Sequence, residues 1–352
     1  MKIEGKVVIM CRIIACVLSL FLMLISCSEK IERVSKYPDL LNEAVDTIAY
    51  SQFVDLIKYI PLETTDACLI GNITDVEISE EHIFVLDLQM QTVWIFSRDG
   101  KYRGQVFHKG DAPGEYVNMC QFEYDESNRQ IVILDLWTHS LLFYTLEGKY
   151  LKSIGLEISA FDFKILPSGG YVISLAGADN KEAGIYYLDA SGKVVSQLVG
   201  RNQEHLIYMN SDWDLCSIKN EICFMAPNLD NEVYHFDGTE LDTIQSFCMK
   251  PEIKHSYKGN VSLEHMEDFV RTRYIESEKW LFAAYWCAVF DLRYFLYSKA
   301  ADEYLIGKYL KNDLDGVQCS GKTSMTKENT FLFWCAPEED RNPILQILYL
   351  KK

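Results

Sequence analysis

The sequence predicts an all-β fold: a six-bladed β-propeller of four-stranded antiparallel blades, with the ring closed by an N-terminal strand. The first observation is a repeat, because Ile83–Asp87 (IFVLD) recurs 48 residues later as Ile131–Asp135 (IVILD). The second is the spacing of 48, 44 and 46 residues between the turn glycines Gly100, Gly148, Gly192 and Gly238. The third is length, since residue 350 lies 288 positions after residue 62, and 288 is six times 48. A fixed period filled with short strands is typical of a repeat array, and four such strands per repeat make one propeller blade.

The N-terminus has the pattern of an export signal. A predominantly apolar run, Val17–Ile25, follows basic residues and precedes Cys27. A short segment of this kind is typical of a secretory signal rather than a spanning helix. The ending Leu-Ile-Ser-Cys resembles the lipobox of bacterial lipoproteins, which implies cleavage before Cys27 and acylation of its thiol; an uncleaved anchor or a chance cysteine is the alternative. The predicted organisation is a lipoprotein signal peptide over residues 1–26, a tether over 27–45 and the propeller over 46–352.

Two details refine this prediction. Arg12 interrupts the apolar segment, whereas a start at Met10 would leave it uninterrupted, so we expect Met10 rather than Met1 to be the true start. Ser28 rather than an aspartate follows Cys27, which gives no support to retention at the inner membrane. The predicted location is therefore the outer membrane, on either its periplasmic or its surface side.

The first repeat divides into four strand-like runs, which are Ile73–Ser79, His82–Asp87, Thr92–Ser97 and Tyr102–Phe107. A tight turn joins the first pair, and Asp99-Gly100 supplies the positive φ of a hairpin turn between the third and fourth. The second repeat has the same order, with Gly148 at the matching turn.

Later repeats are weaker but keep this frame, over about residues 161–194, 215–238, 280–309 and 316–350. The early strand Leu56–Leu62 is left over. We predict that it pairs into the last blade and closes the ring, which removes an open sheet edge. Ser262–Arg271 has a serine cap and an apolar face, and this pattern predicts a short helix between blades four and five.

Eight of the eleven cysteines remain after Cys11 and Cys16 leave with the signal and Cys27 takes the lipid. They show no tight CxxC spacing for zinc or redox chemistry. Most lie in apolar contexts, where a reduced cysteine packs as a small hydrophobic residue. Only Cys216 and Cys223 are placed to face each other across a hairpin, and both the bonded and the reduced state stay open.

The charge balance excludes one class of partner. The chain has 34 Lys and Arg against 51 Asp and Glu, a net charge of −17. Such a surface repels phosphate backbones, so no nucleic-acid partner is expected.

Several residues have a predicted structural role in turns. Asp87 and Asp135 end the second strand of their repeats, where a carboxylate accepts backbone N–H bonds. Because the position repeats, a turn role is favoured over catalysis. Between the two repeats, backbone geometry is set by Gly110, Pro113 and Gly114, as it is by Gly100 and Gly148 at the hairpins.

The segment Gly110–Tyr116 (GDAPGEY), with Leu86-Asp87 and Asp99–Tyr102, resembles the NHL-type propeller repeat. Together with Tyr59–Thr64 (YIPLET), it is similar to the six-bladed β-propeller lipoproteins of Gram-negative gut bacteria. The resemblance covers most of residues 45–350 and is most specific between 56 and 150. It implies a fold and a location. That family is mostly of unknown function, so it supplies no catalytic residues.

Signatures of common catalytic sites are missing from the sequence. There is no Gly-x-Ser-x-Gly, no His-Glu-x-x-His and no phosphate-binding loop. Groups from distant blades still converge at a propeller axis, so an enzyme stays open but is not favoured. No cofactor is predicted and no metal ligand is assigned, although a metal near the axis stays open.

Loops from strand two to strand three, and from strand four to the next blade, share one face of a propeller. Aromatic, amide and carboxylate side chains there suit stacking on a sugar or holding a peptide, unless they only pack the rim. The candidate ligand face consists of Trp137, His139, Arg201, His205, Tyr208, Asn228, Asp230 and Trp286.

The sequence thus favours a lipid-anchored envelope propeller that acts as a binding or scaffold module for a glycan, a peptide or a partner protein. The alternative is a metal-dependent propeller hydrolase or lyase.

Overall fold

The computed structural model of the 352-residue chain describes residues 35–175, 183–200, 215–225, 232–249, 269–287, 291–319, 324–326, 329–335 and 341–351. Over these ranges the regular secondary structure is almost entirely β-strand, and the strands form six sheets, the blades of a propeller ring. The predicted all-β, six-bladed fold is confirmed. The predicted signal peptide and Cys27 lie outside the described residues. Within them, no helix has the length and apolar character needed to cross a membrane.

The first three strands precede the complete blades. They are β1 (Ser35–Lys36), β2 (Val45–Ala49) and β3 (Val54–Pro61), with a short 3-10 helix at Tyr50–Gln52.

Each blade is an antiparallel sheet in which consecutive strands lie side by side. Blades one to three consist of β4 (Asp75–Ile78), β5 (His82–Asp87), β6 (Thr92–Ser97), β7 (Tyr102–Val106), β8 (Met119–Asp125), β9 (Gln130–Asp135), β10 (Ser140–Thr145), β11 (Tyr150–Gly155), β12 (Asp162–Ile165), β13 (Tyr171–Leu175), β14 (Gly184–Leu188) and β15 (Val194–Gly200). Blades four and five consist of β16 (Cys216–Ile218), β17 (Glu221–Met225), β18 (Glu232–Phe236), β19 (Leu241–Phe247), β20 (Phe269–Glu276), β21 (Trp280–Cys287), β22 (Leu292–Ser298) and β23 (Glu303–Lys311). Blade six consists of β24 (Ser324–Thr326), β25 (Thr330–Cys335), β26 (Ile344–Leu350) and β3.

The N-terminal strand closes the ring as predicted. β3 pairs antiparallel with β26, from Pro61 opposite Ile344 to Val54 opposite Leu350. The last blade is therefore completed by a strand from the beginning of the chain. This pairing covers what would otherwise be an open edge of β26.

The N-terminal segment also covers more of the ring than expected. β2 adds in parallel to β23 of blade five. The carbonyl of Lys36 accepts a hydrogen bond of 2.7 Å from the amide of Cys248, beside blade four. Leu40 is fully buried, and its carbonyl accepts a 3.1 Å bond from Arg293 Nε. The folded region thus begins before the predicted boundary at residue 45, because these residues cover the outer edges of two further blades.

The hydrophobic core lies between neighbouring blades. Phe84 and Ile95 of blade one pack with Phe122 and Ile131 of blade two in one buried cluster. Because both faces of a blade contact its neighbours, β5 and β9 are buried along nearly their whole length. This explains why the two strands are continuous apolar runs rather than alternating ones.

Glycines with positive φ form the hairpins between third and fourth strands. φ is +84° at Gly100 and +85° at Gly192. A Cβ atom there would lie only 2.1 Å and 2.3 Å from the carbonyl oxygens of Pro61 and Gly155, respectively. Both oxygens belong to the outermost strand of the preceding blade. Glycine is therefore needed for the turn and for the close approach of two backbones.

Blade five corrects one prediction. Its first strand, β20, begins at Phe269, so residues 269–271 are strand rather than the end of a helix. Residues 262–268 lie outside the described residues. The β-branched and aromatic residues of β20 pair along β21, and this tertiary pairing outweighs the local helical pattern.

The disulfide also differs from expectation. Cys319 and Cys335 are disulfide-bonded. Cys216 and Cys223 do stand directly opposite each other in β16 and β17, but no bond joins their sulfur atoms. The bonded pair joins a long connection to the end of β25, a contact between separate segments that the spacing of the cysteines does not show.

Candidate functional site

A buried carboxylate ends the second strand of blades one and two. Asp87 accepts hydrogen bonds from the amides of Gly71 (2.7 Å) and Met90 (2.9 Å). Asp135 accepts hydrogen bonds of 2.8–3.4 Å from the amides of Val117, Asn118, Trp137 and Thr138. Burial raises the pKa of the Asp135 carboxyl, but these donors more than offset it, so its pKa lies below the ordinary value. Each carboxylate therefore forms hydrogen bonds both to the turn after its own strand and to the connection that precedes the first strand of the same blade.

The turn after Asp135 presents an exposed tryptophan. Trp137 is 71% exposed, and His139 in the same turn is exposed as well. The corresponding turn of blade one has the same length and register, with the exposed Gln89 in place of Trp137. Both turns end on a residue with positive φ, +53° at Gln91 and +48° at His139. Because glutamine forms the same turn, the fold does not require an indole at position 137.

The segment 110–116 forms a compact connection between blades one and two. The amide of Gly110 donates a 3.0 Å hydrogen bond to the carbonyl of Tyr116. Tyr116 is fully buried, its hydroxyl donates to the carbonyl of Gln91 (2.7 Å), and burial raises its pKa to about 12. Gly114 has φ of +87°, and Pro113 is exposed at the tip. This segment therefore docks on the strand-two-to-three turn of blade one.

Three residues of the candidate ligand face fall within the described structure. Trp137 and His139 lie in the strand-two-to-three turn of blade two. Trp286 is partly exposed near the end of β21, the equivalent end of blade five. All three therefore lie at the ends of their blades where the second strand leads to the third. The remaining candidates lie outside the described residues: Arg201, His205, Tyr208, Asn228 and Asp230.

Carboxylates on the inner strands connect one blade to the next. First strands of neighbouring blades contact each other around the centre of the ring, so they are edge strands whose outward N–H groups need acceptors. Glu77 of blade one accepts the amide of Tyr124 (2.9 Å) in blade two. Glu123 of blade two accepts the amide of Ile165 (2.6 Å) in blade three.

A lysine occupies the same position in blade three. The strand registers make Lys164 equivalent to Glu77 and Glu123. Burial lowers the pKa of Lys164, but nearby carboxylates raise it above the ordinary value overall; these are Glu123, Glu77, Asp162 and Asp75. The centre of the ring at blades one to three is therefore acidic around a charged lysine.

A second group of charged side chains lies between blades four and five. His235 Nδ1 is 2.9 Å from Glu221 Oε2, and His235 Nε2 is 3.1 Å from Glu276 Oε1. The side chain of Glu276 is fully buried and also binds Tyr274 Oη and Lys299 Nζ. Burial lowers the pKa of His235, but the two glutamates raise it above its usual value. Burial raises the pKa of Glu276, but His235 and Lys299 bring it below its usual value.

Sequence reasoning did not identify this group. Glu221, His235 and Glu276 come from three strands, and the first two are 14 positions apart and the last two 41 positions apart. No short motif connects them. The one local signal is Glu221-Ile222-Cys223, where strand alternation puts the first and third side chains on one face.

The sequence matches one family model, the domain of unknown function DUF4934, over residues 38–346. No curated protein matches the chain significantly. Among solved structures, a candidate exported protein of Bacteroides fragilis NCTC 9343 is similar in fold, with 18% identity and a TM-score of 0.74. That match covers 90% of this chain and 100% of the other.

A DUF4221-family protein of Bacteroides vulgatus ATCC 8482 is also similar, with 9% identity and a TM-score of 0.55, over 85% of this chain and 97% of the other. At these identities the structural similarity shows the fold alone. The family model, by contrast, covers most of the sequence, and it follows that the protein belongs to the DUF4934 family.

Proposed function

We propose that this protein is an exported, lipid-anchored binding or scaffold module, which holds a glycan, a peptide or a partner protein on the face that carries Trp137, His139 and Trp286. Trp137 supports the proposal most strongly, because its indole is 71% exposed on a turn that blade one builds with glutamine. Tryptophan is enriched among the residues that supply most of the binding energy of protein interfaces. A single exposed indole is best suited to stacking on a sugar ring, so a glycan is the first ligand to test.

The turn is also well ordered for binding. The carboxylate of Asp135 accepts the amides of Trp137 (3.0 Å) and Thr138 (3.4 Å), which fixes the backbone that carries the indole. A side chain on a fixed backbone loses less conformational entropy when it contacts a ligand. His139 adds an exposed polar ring in the same turn.

Lipid anchoring is supported by the Leu-Ile-Ser-Cys sequence that ends at Cys27. The similar Bacteroides fragilis protein, itself described as a candidate for export, agrees with export alone. We expect Cys27→Ser to move the protein from the membrane fraction to the soluble fraction and to remove the N-terminal lipid found by mass spectrometry. A Cys27→Ser protein that stays with the membrane would contradict the anchor.

The alternative is a metal-dependent hydrolase or lyase with an ion near the axis. Two inner-strand carboxylates, Glu77 and Glu123, each accept an amide of the neighbouring blade. Those bonds give both residues a structural role, and this favours the binding module.

The test of the binding face is Trp137→Gln in the full-length chain, purified in detergent. Binding to a panel of glycans, and then of peptides, is measured by titration calorimetry. A bound ligand would bury the indole, and loss of that contact should cost about 2 kcal/mol of binding free energy, or roughly a thirtyfold weaker Kd. Stability in urea should change by less than about 0.5 kcal/mol, because glutamine fits the equivalent turn.

Leu151→Gln is the matched control. Leu151 is 41% exposed, but it lies at the start of β11, beside the Gly148 hairpin and at the opposite end of blade two from the turn that carries Trp137. This variant should bind like the wild type. Binding of peptides alone would assign the ligand class to peptide. A ligand that binds Trp137→Gln and wild type equally would remove Trp137 from the site.

A further inference from the structure

Three potential metal ligands share one face of blade four. Cys223 in β17 stands directly opposite His235 in β18, and directly paired residues of adjacent strands point to the same side of a sheet. Glu221 precedes Cys223 by two residues on β17, so it also points to that side. Cys216, opposite Cys223 in β16, extends the same row. The register of the blade therefore brings together donors that are separate in the sequence.

The donor atoms are close enough to share one ion. The carboxylate oxygen of Glu221, the sulfur of Cys223 and a ring nitrogen of His235 all lie within 4.8 Å of one another. Zinc bonds of about 2.0–2.3 Å place the donors of a tetrahedral site roughly 3.3–3.8 Å apart. The 4.8 Å within which the donors lie exceeds this spacing by about 1 Å, the scale of a side-chain adjustment.

The imidazole of His235 is already oriented for this role. Its Nε2 faces the buried carboxylate of Glu276 at 3.1 Å, which leaves Nδ1 directed at Glu221. A carboxylate bound to the second nitrogen fixes the tautomer and the ring orientation of metal-binding histidines in proteins. Glu276 is in turn held by Tyr274 and Lys299. This support comes from blade five, whereas the three donors belong to blade four.

Two carboxylates beside His235, those of Glu221 and Glu276, favour a cation at this point. Lys299 Nζ contacts Glu276 and the carbonyl of Ser277 (2.7 Å), so its charge is balanced by the Glu276 carboxylate. Cys223 is fully buried. A bound metal ion is the usual means by which a buried cysteine becomes a thiolate.

We propose that Glu221, Cys223 and His235 form a zinc site at the junction of blades four and five. A thiolate and an imidazole select zinc over magnesium or calcium, which prefer oxygen ligands alone. Through His235 and Glu276 the ion is coupled to β20, so its binding strengthens the contact between the two blades. The site is independent of the binding face around Trp137, and either proposal stands if the other fails.

The test uses the reduced full-length chain in detergent. Zinc content is measured after dialysis against zinc, and cobalt is titrated as a spectroscopic probe. We expect one zinc ion per chain and a thiolate-to-cobalt charge-transfer band. Cys223→Ser should abolish that band, and Glu221→Gln should weaken cobalt binding at least tenfold. Glu221 is half-exposed, so its substitution does not endanger the core. Glu276→Gln should lower affinity by about 10–100-fold while the band persists at saturating cobalt.

Cys120→Ser is the control, because Cys120 is a thiol of blade two, outside this group. It should keep both the zinc and the band. The proposal is overturned if the folded wild-type chain gives no thiolate–cobalt band, or if Cys223→Ser and wild type give the same band. It is also overturned if Glu221→Gln, folded by circular dichroism, binds cobalt as tightly as wild type.

Discussion

Replacing Gly100 with alanine is expected to destabilise the propeller by about 2–5 kcal/mol, the sum of two costs. A left-handed backbone, here with φ of +84°, costs an alanine about 1–2 kcal/mol. The new Cβ would also stand 2.1 Å from the carbonyl oxygen of Pro61, so the backbones must move apart, at about 1–3 kcal/mol. Pro61 lies on β3, the strand that closes the ring. The displacement therefore acts on ring closure.

Two other glycines separate these costs. Gly316 has φ of +80°, but no described atom outside its own neighbourhood lies within 4 Å of an added Cβ, so Gly316→Ala should cost only about 1–2 kcal/mol. Gly104, on β7, has neither a positive φ nor a described neighbour within that distance, and Gly104→Ala should stay within about 0.5 kcal/mol. Urea unfolding followed by tryptophan fluorescence should rank them Gly100, Gly316, Gly104. Equal losses of unfolding free energy for Gly100→Ala and Gly316→Ala would show that the close approach to Pro61 does not contribute to the cost.

Blades one and two could be predicted from sequence because their constraints are local and repeat. Ile83–Asp87 and Ile131–Asp135 are buried on both faces, so each must be apolar throughout, and the repeat is visible without an alignment. Gly100 and Gly148 recur because the same hairpin needs positive φ at the same place. The closing strand was found because it was the one strand left over after six repeats.

Contacts between distant segments could not be predicted in this way. Leu40 and β2 cover the outer edges of blades, and an outer edge accepts many sequences, since it requires only backbone pairing. At β20, local helical features competed with strand pairing, and the partner strand decided the outcome. The bond between Cys319 and Cys335 likewise depends on where the connection after β23 meets the end of β25.

The candidate sites show the same division. Trp137 could be selected from sequence because its turn is defined by the repeat, and Gln89 in the same frame shows what the fold alone requires. The group around His235 could not, because Glu276 reaches it from another blade. The sequence around a single histidine in a strand does not indicate which carboxylate it contacts in the fold. Such sites become visible only when the register of the sheets is known.

Replacing Asn342 with leucine is expected to cost about 3–5 kcal/mol, because this side chain links the last blade to the first. Its Nδ2 donates to the carbonyls of Glu63 (2.8 Å) and Cys68 (3.1 Å), and its Oδ1 accepts the amide of Ile70 (2.8 Å). The residue is 5% exposed. Leucine leaves the amide of Ile70 and the carbonyl of Glu63 without this partner, each at about 1–3 kcal/mol, whereas the carbonyl of Cys68 keeps the amide of Thr65; the burial of leucine offsets only part of the loss. Urea unfolding measures the loss.

Asn128→Leu provides the control, since Asn128 is exposed and binds only Asp125 in its own turn; it should change stability by less than about 1 kcal/mol. Asn342→Asp tests the mechanism. A charged carboxylate keeps the acceptor for Ile70 but faces the carbonyls of Glu63 and Cys68 without a proton to donate, so at neutral pH this variant should be about as unstable as Asn342→Leu. In acid the protonated carboxyl donates to one carbonyl. The loss of stability of Asn342→Asp relative to wild type should therefore become smaller, whereas the loss for Asn342→Leu should not change. A deficit for Asn342→Asp that does not change with pH would mean that these hydrogen bonds do not hold the junction of the first and last blades.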